Sequence, residues 1–133
     1  MRTVLSILQK AGGWRPSLYV KIPNPPCAEL VIEAMDESGP MGLPALSVAQ
    51  YTDALAKPEM YFELGLAGGA HLSAFYYRND SLGVEQWSRN IVRGNYVHLL
   101  ALHEQHQRLA ETWDNDLRLQ GYAEAFTDKC ILG

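Results

Sequence analysis

Three of the four histidines fall within nine residues of the segment "YVHLLALHEQHQRLAETWDNDLRLQG", residues 96–121. Imidazoles this closely spaced are the side chains for binding a transition metal or for moving protons near neutral pH. Placed on one helix, however, His98 and His103 diverge by about 140° around the axis, and His98 lies about 12 Å from His106 along it. His103 and His106, at i and i+3, could share an ion with ligands from elsewhere, but "HEQH" lacks the i, i+4 spacing of H-E-x-x-H. Geometry therefore favours a packed helix over a metal site. No metal and no cofactor is expected.

Other reactive residues form no recognised pattern. None of the serines at 6, 17, 38, 47, 73, 81 and 88 sits in a G-x-S-x-G elbow. "GLAGGAH", residues 65–71, joins strand to strand, whereas a phosphate cradle needs a helix to follow. Cys27 lies between Pro26 and Ala28 with no helix N-terminus to activate it. Glu29 with Glu33, and Glu59 with Glu63, each share a strand face and could form cross-strand carboxylate pairs; exposed strand glutamates more often keep sheet edges soluble. No catalytic residue is assigned. A small enzyme without a recognisable motif stays as an alternative, and it requires a concave site with converging polar groups.

The richest surface candidate is "FYYRNDSLGVEQWSRNIVRGNY", where aromatics alternate with arginines. Tyr76, Arg78, Trp87, Arg89 and Arg93 make a candidate interaction surface, because Tyr, Trp and Arg dominate protein-binding hot spots. The same residues could stack unpaired bases. The plain alternative puts Phe75 and Tyr77 in the core and leaves the others covering the sheet by cross-strand packing.

These residues need elements to position them. "TVLSILQKA" (3–11) gathers Val4, Leu5, Leu8 and Ala11 on one helical face, ended by Gly12-Gly13. Alternation then predicts strands in "SLYVKI" (17–22), "AELVIEAM" (28–35), "ALSVAQY" (45–51), "EMYFELGL" (59–66), "AHLSAFYY" (70–77) and "VEQWSRNIV" (84–92). "RNDSLG" is a hairpin turn. A long helix follows, with Asn95 as N-cap and Gly121 as stop. Its stripe of Leu99, Leu102, His106, Leu109, Trp113 and Leu117 lies on the sheet, with Leu109 and Trp113 buried; alternatively, Leu102, His106, Leu109 and Trp113 form a two-fold dimer seam. The fold expected is α+β: a short N-terminal helix, an antiparallel meander of five or six strands and a long C-terminal helix, in one domain spanning 1–133.

The 133 residues are 47% hydrophobic and 20% charged, which suits a globular chain with a real core. A net charge of −4 argues against a dedicated duplex-DNA binder. No apolar run reaches the roughly 20 residues of a membrane-spanning helix, and two distant cysteines indicate neither a zinc site nor a disulfide framework. A cytoplasmic location is expected.

The succession "KIPNPP…ELVIEAM", "GLPALSVAQY", "KPEMYFEL" and "TWDNDLRLQGY" resembles an uncharacterised bacterial family, a domain of unknown function frequent on proteobacterial plasmids, integrative elements and other mobile DNA. The likeness spans roughly residues 15–122 and rests on S-V-A-x-Y, P-E-M and T-W-D-x-x-L-x-x-Q-G. It departs between Tyr51 and Pro58, where "TDALAK" replaces a longer loop. The resemblance implies no established activity. It implies an accessory or counter-defence setting: a small non-catalytic protein-binding module, an inhibitor of a host complex of the anti-CRISPR kind, with a protein partner or a second copy of itself. Single-stranded nucleic acid is the alternative partner.

Overall fold

Alternation of apolar and polar side chains builds the sheet. The computed structural model describes residues 1–52, 55–65 and 71–133, with positions 55 and 56 as backbone alone. Strands β1 (Tyr19–Asn24), β2 (Cys27–Ala34), β3 (Ala45–Thr52), β4 (Leu55–Leu64), β5 (Leu72–Asn79) and β6 (Val84–Trp87) pair antiparallel in sequence order, as a six-stranded meander. One face carries Val20, Ile22, Leu30, Ile32, Leu46, Val48, Met60 and Phe62, all essentially fully buried. Helix α1 (Arg2–Lys10) adds Val4, Ile7 and Leu8 to this core, and α2 (Leu100–Leu119) adds Ala110, Trp113 and Leu117. The fold is α+β, as the sequence pattern predicts.

The other face of the sheet packs a smaller cluster of Ala45, Phe75 and Tyr76, with Met35 and Tyr61 against it and, among the described residues, no helical residue in it. A bulge makes this possible. Tyr61 pairs with Tyr76 but Phe62 pairs with Ala74, so Phe75 is an extra residue in β5. Phe75 and Tyr76 consequently both serve the helix-free face, and strict alternation fails there.

The last predicted strand and the start of the long helix differ from the sequence reading. "VEQWSRNIV" is two strands, broken at Ser88: β6 belongs to the sheet, whereas β7 (Arg89–Val92) pairs with β8 (Asn95–His98) as a separate two-stranded arm. Asn95 is therefore a strand residue, not a helix cap, and the N-cap of α2 is Leu99. The stripe shortens accordingly. Leu99 is exposed and Leu102 and Leu109 are only half-buried, while His106, Trp113 and Leu117 are buried. His106 and Trp113 are thus core residues of this chain. The glycine turn read at "GLAGGAH" falls largely on residues 66–70, and part of the short "TDALAK" loop on 53–54; both lie outside the described residues.

The C-terminal segment packs on the fold. Helix α3 (Tyr122–Ala125) buries Tyr122, Cys130 is buried, and Ile131 bridges Val20 beside β1. Among the described residues no helix is long and apolar enough to cross a membrane.

Helix α1 has no side-chain cap of its own and no acidic residue in its first turn. Asp114 of α2 supplies both: its carboxylate accepts from the backbone N–H of Thr3 at 3.1 Å and of Val4 at 3.3 Å. A buried negative charge thereby sits on the positive end of the helix dipole and holds the two helices together. Asp114→Ala is expected to cost about 1–2 kcal/mol, measured by urea unfolding. Asp114→Asn, which keeps an acceptor but loses the charge, should recover part of that loss.

Candidate functional site

The helix-free face is organised around a row of rings. Tyr61, Tyr76 and Trp87 follow one another across β4, β5 and β6 in direct register. Tyr61 stacks on Tyr76 with centroids 4.2 Å apart, and Tyr76 meets Trp87 at 4.5 Å. Such cross-strand aromatic pairs add about 0.5–1.5 kcal/mol each beyond area burial. Tyr76 is only 2% exposed, so its ring is covered by its neighbours, whereas Trp87 at the sheet edge is 41% exposed. The Tyr76 hydroxyl donates to Glu85 at 2.6 Å.

Beside this row runs a chain of charges. Arg78 grips Asp80 through two bonds of 2.8 and 3.0 Å and reaches Glu59 at 3.6 Å. Tyr51 donates to the other oxygen of Glu59 at 3.2 Å. Burial and the adjacent Glu59 push the Tyr51 phenol up to about 12. Burial also raises the Glu59 carboxyl above its ordinary value, with Arg78 and Tyr51 pulling it partly back. Arg78 is consequently an engaged cation.

Arg89 is not on the surface. It is 4% exposed, and its side chain turns inward to meet Glu63, 1% exposed, at 2.6 Å. The remaining guanidinium donors go to the carbonyls of Ala74 at 3.2 Å and Ser73 at 3.1 Å. The second carboxylate oxygen of Glu63 accepts from the backbone of Met41 at 2.8 Å and of Leu43 at 3.3 Å. A Cβ at Gly39 would overlap the Glu63 side chain, so the loop from β2 to β3 can close over Glu63 only with glycine there. The reading of Glu59 and Glu63 as a carboxylate pair gives way to two separate ion pairs. Arg89 leaves the candidate interaction surface for a structural role.

Beyond Arg89 the chain leaves the body of the fold. Val92 pairs with Asn95 across a two-residue turn of Arg93 and Gly94, with φ of +52° and +78°. Positive φ at both central positions marks the hairpin turns that match strand twist. Seven of the large hydrophobic residues that stay exposed fall between 87 and 100: Trp87, Ile91, Val92, Tyr96, Val97, Leu99 and Leu100. Arg93 lies exposed at the tip. Of the five candidate surface residues, Trp87 and Arg93 therefore flank one exposed arm, Tyr76 pairs with Trp87 beside its base, Arg78 lies further along the sheet opposite Glu85, and Arg89 anchors the arm from within.

The histidines are rearranged by the same arm. Because His98 is on β8 and not on the helix, its Nε2 lies 2.9 Å from Nδ1 of His103. The divergence computed for a single helix does not apply. His103 Nε2 in turn faces Ser73 Oγ of β5 at 3.4 Å. The signal missed was the Arg-Gly dipeptide between two alternating stretches, a weak hairpin mark because arginine seldom takes positive φ. Among the described residues no group of three or more His, Cys, Asp or Glu side chains is arranged to hold a metal ion.

His106 is a different kind of residue. It is fully buried, with Nδ1 3.0 Å from Ser88 Oγ, Nε2 3.1 Å from Gln86 Oε1, and its ring against Tyr77. Burial, with His103 adding to it, lowers its pKa from 6.5 to about 4. Deeper in the fold, Trp113 donates to Gln50 at 2.7 Å and Gln50 donates to Tyr122 at 2.9 Å, so the core carries a polar chain. A cavity of about 230 Å³ adjoins it, lined by residues including Gln50, Met60, Tyr77 and Trp113.

Two outcomes follow from these buried groups. Arg89→Ala should destabilise the fold by about 3–5 kcal/mol, because it strands the Glu63 charge; Arg89→Ala combined with Glu63→Gln should recover part of that loss in urea unfolding. Protonation of His106 is disfavoured in the folded state, so the unfolded chain takes up that proton first. The contribution is complete above about pH 6.5 and is lost as the pH falls towards 4. A pKa depression of this size corresponds to about 3 kcal/mol. Unfolding curves at pH 7 and pH 4 should therefore show a smaller acid loss, by about that amount, in His106→Gln than in the natural sequence.

No curated protein and no solved structure matches this chain. A family model described as a domain of unknown function, DUF6908, matches residues 2–123, which takes in both the sheet and the long helix. The chain belongs to that family.

Proposed function

We propose that this chain is a cytoplasmic protein-binding module whose binding element is the β7–β8 arm, with Trp87 at its base. The observation that carries the reading is the concentration of exposed large hydrophobic residues between 87 and 100, four of them on the arm and three beside it, with all four β8 residues exposed. An isolated two-stranded hairpin is marginal in water, and apolar residues displayed on one are a cost to solubility unless something covers them. Trp87, Tyr96 and Arg93 are residue types that anchor protein interfaces. The resemblance to a mobile-element family supports a host protein as the partner and a counter-defence role as the setting. Base stacking is less well supported, because both neighbours of Tyr76 in the aromatic row are other rings of this chain.

The test is capture from a nuclease-treated lysate of the host with tagged protein, followed by mass spectrometry. One dominant protein should be recovered. Trp87→Ala and Ile91→Asp should each reduce its capture at least tenfold while leaving the melting temperature within a few degrees. Recovery of nucleic acid in place of a protein, when nuclease is omitted, would shift the assignment to a single-strand binder, and that binding should fall steeply with salt.

A further inference from the structure

Ser73, His103 and His98 come from three elements, β5, α2 and β8, of which α2 and β8 are neighbours in the chain and β5 lies some distance before them. Their contacts have a definite order. The serine hydroxyl faces Nε2 of His103 at 3.4 Å, and the opposite ring nitrogen, Nδ1, faces Nε2 of His98 at 2.9 Å. That is the connectivity of a nucleophile, a base and a group that orients the base, recognised by geometry and role and not by sequence position. A serine-to-base distance somewhat beyond ordinary hydrogen-bond length is common in the absence of substrate.

We propose that Ser73 is an activated nucleophile, with His103 as its general base and His98 as the positioning residue, and that it accepts acyl groups from small carboxylic esters. Two proton arrangements satisfy both contacts, and one of them serves this chemistry. In it His103 carries its proton on Nδ1, donates to the lone pair on Nε2 of His98, and leaves Nε2 free to accept from the Ser73 hydroxyl. Attack by Ser73 Oγ forms the new acyl C–O bond as its proton passes to His103. The ester C–O bond then breaks, and the leaving alkoxide departs with the proton from His103. Water repeats the sequence in reverse roles, releasing the carboxylic acid and restoring Ser73.

The surroundings suit a neutral base. The groups facing His103 are His98 on β8, Arg89 on β7, Glu104 on its own helix and His71 just before β5. Burial, then Arg89 and His98, lower its pKa from the ordinary histidine value, so it is unprotonated at neutral pH. Arg89 also donates to the carbonyl of Ser73 itself, which fixes the backbone that presents the hydroxyl. An imidazole orients the base but brings no negative charge, so it stabilises the base's imidazolium less than a carboxylate would. Ser73 is half-buried and does not line the cavity beside Trp113. With little binding energy to draw on, the reactive substrates should be activated esters of short acyl groups.

The experiment treats the full chain with a fluorophosphonate and, separately, with p-nitrophenyl acetate, and maps the adduct by peptide mass spectrometry. One adduct per chain on Ser73 is expected, absent in Ser73→Ala and formed at least tenfold more slowly in His103→Gln. In the natural sequence its rate should be flat near pH 7.5 and fall on acidification below the ordinary histidine range, as His103 takes up a proton. His98→Gln should slow it several-fold while circular dichroism shows an intact fold. Labelling scattered over lysines and tyrosines and unchanged in Ser73→Ala would overturn the proposal. So would a folded His103→Gln that labels at the natural rate, and, should that variant not fold, a rate in the natural sequence that stays flat from pH 7.5 down to the lowest pH at which the chain remains folded.

Discussion

The ion pair between Arg89 and Glu63 is the constraint to which the rest of the architecture answers. Both groups are almost completely buried, and removing two charges from water is favourable only when every remaining donor and acceptor is used. Here they are used across four segments. Glu63 of β4 takes Arg89 on one oxygen and the loop between β2 and β3 on the other, while Arg89 takes two carbonyls of β5. To deliver the guanidinium inward, the chain must leave the plane of the sheet just after Trp87. Ser88 marks the break: its N–H still donates to Phe75 of the sheet, but its carbonyl accepts from Leu99, at the start of the helix. The arm exists because the strand cannot continue straight.

That break also fixes the neighbouring chemistry. Arg89 and His98 are directly paired residues of the arm, so a fixed Arg89 sets the height of His98 above the body of the fold. Helix α2 begins two residues later, and its first turn brings His103 back to within hydrogen-bond reach of His98. The same helix is held at three further points along its length. Gln107 accepts from the edge N–H of Ala74, His106 meets Ser88 and Gln86, and Asp114 caps α1. Each contact lies at a definite angle around the axis, so the helix has little rotational freedom. Polar groups specify that rotation where apolar packing would tolerate small slips.

The elements that could be read from the sequence were those governed by one local rule. Alternation located the first five strands, "RNDSLG" located the β5–β6 turn, and Gly121, with φ of +82°, stands where the helix stop was expected. The rest failed for a shared reason: the deciding partner is distant. Arg89 and Glu63 have the types and spacing of surface charges, and only a fold that brings them together makes them core. Asn95 has the chemistry of a helix cap, but its backbone belongs to the hairpin that Arg93 and Gly94 close. The bulge at Phe75 hides within an unbroken run of aromatics, where any phase of the alternation appears equally good. Trp113 and Asp114 look like one amphipathic patch, yet one serves the sheet and the other a helix that lies more than a hundred residues earlier.

The division of labour between the two faces of the sheet follows from these placements. The helix-covered face satisfies its polar groups internally, through the chain from Trp113 to Gln50 to Tyr122 and on to the carbonyl of Ala28. It gives stability and a fixed geometry. The opposite face, among the described residues, has no helix in its cluster and is capped instead by aromatic rings packed on one another, with their exposed end at Trp87. The arm leaves the fold beside that end and carries Ile91, Val92, Tyr96 and Val97 into solvent on two strands that pair with each other as a separate sheet. Its base, in contrast, is clamped by a buried charge pair and by the pair of histidines. Ordering an interface costs conformational entropy, and a display element that is rigid at its root loses less of it on docking than a free loop would. That combination of an exposed apolar arm and an ionic anchor is the physical ground on which we propose the arm as a binding element.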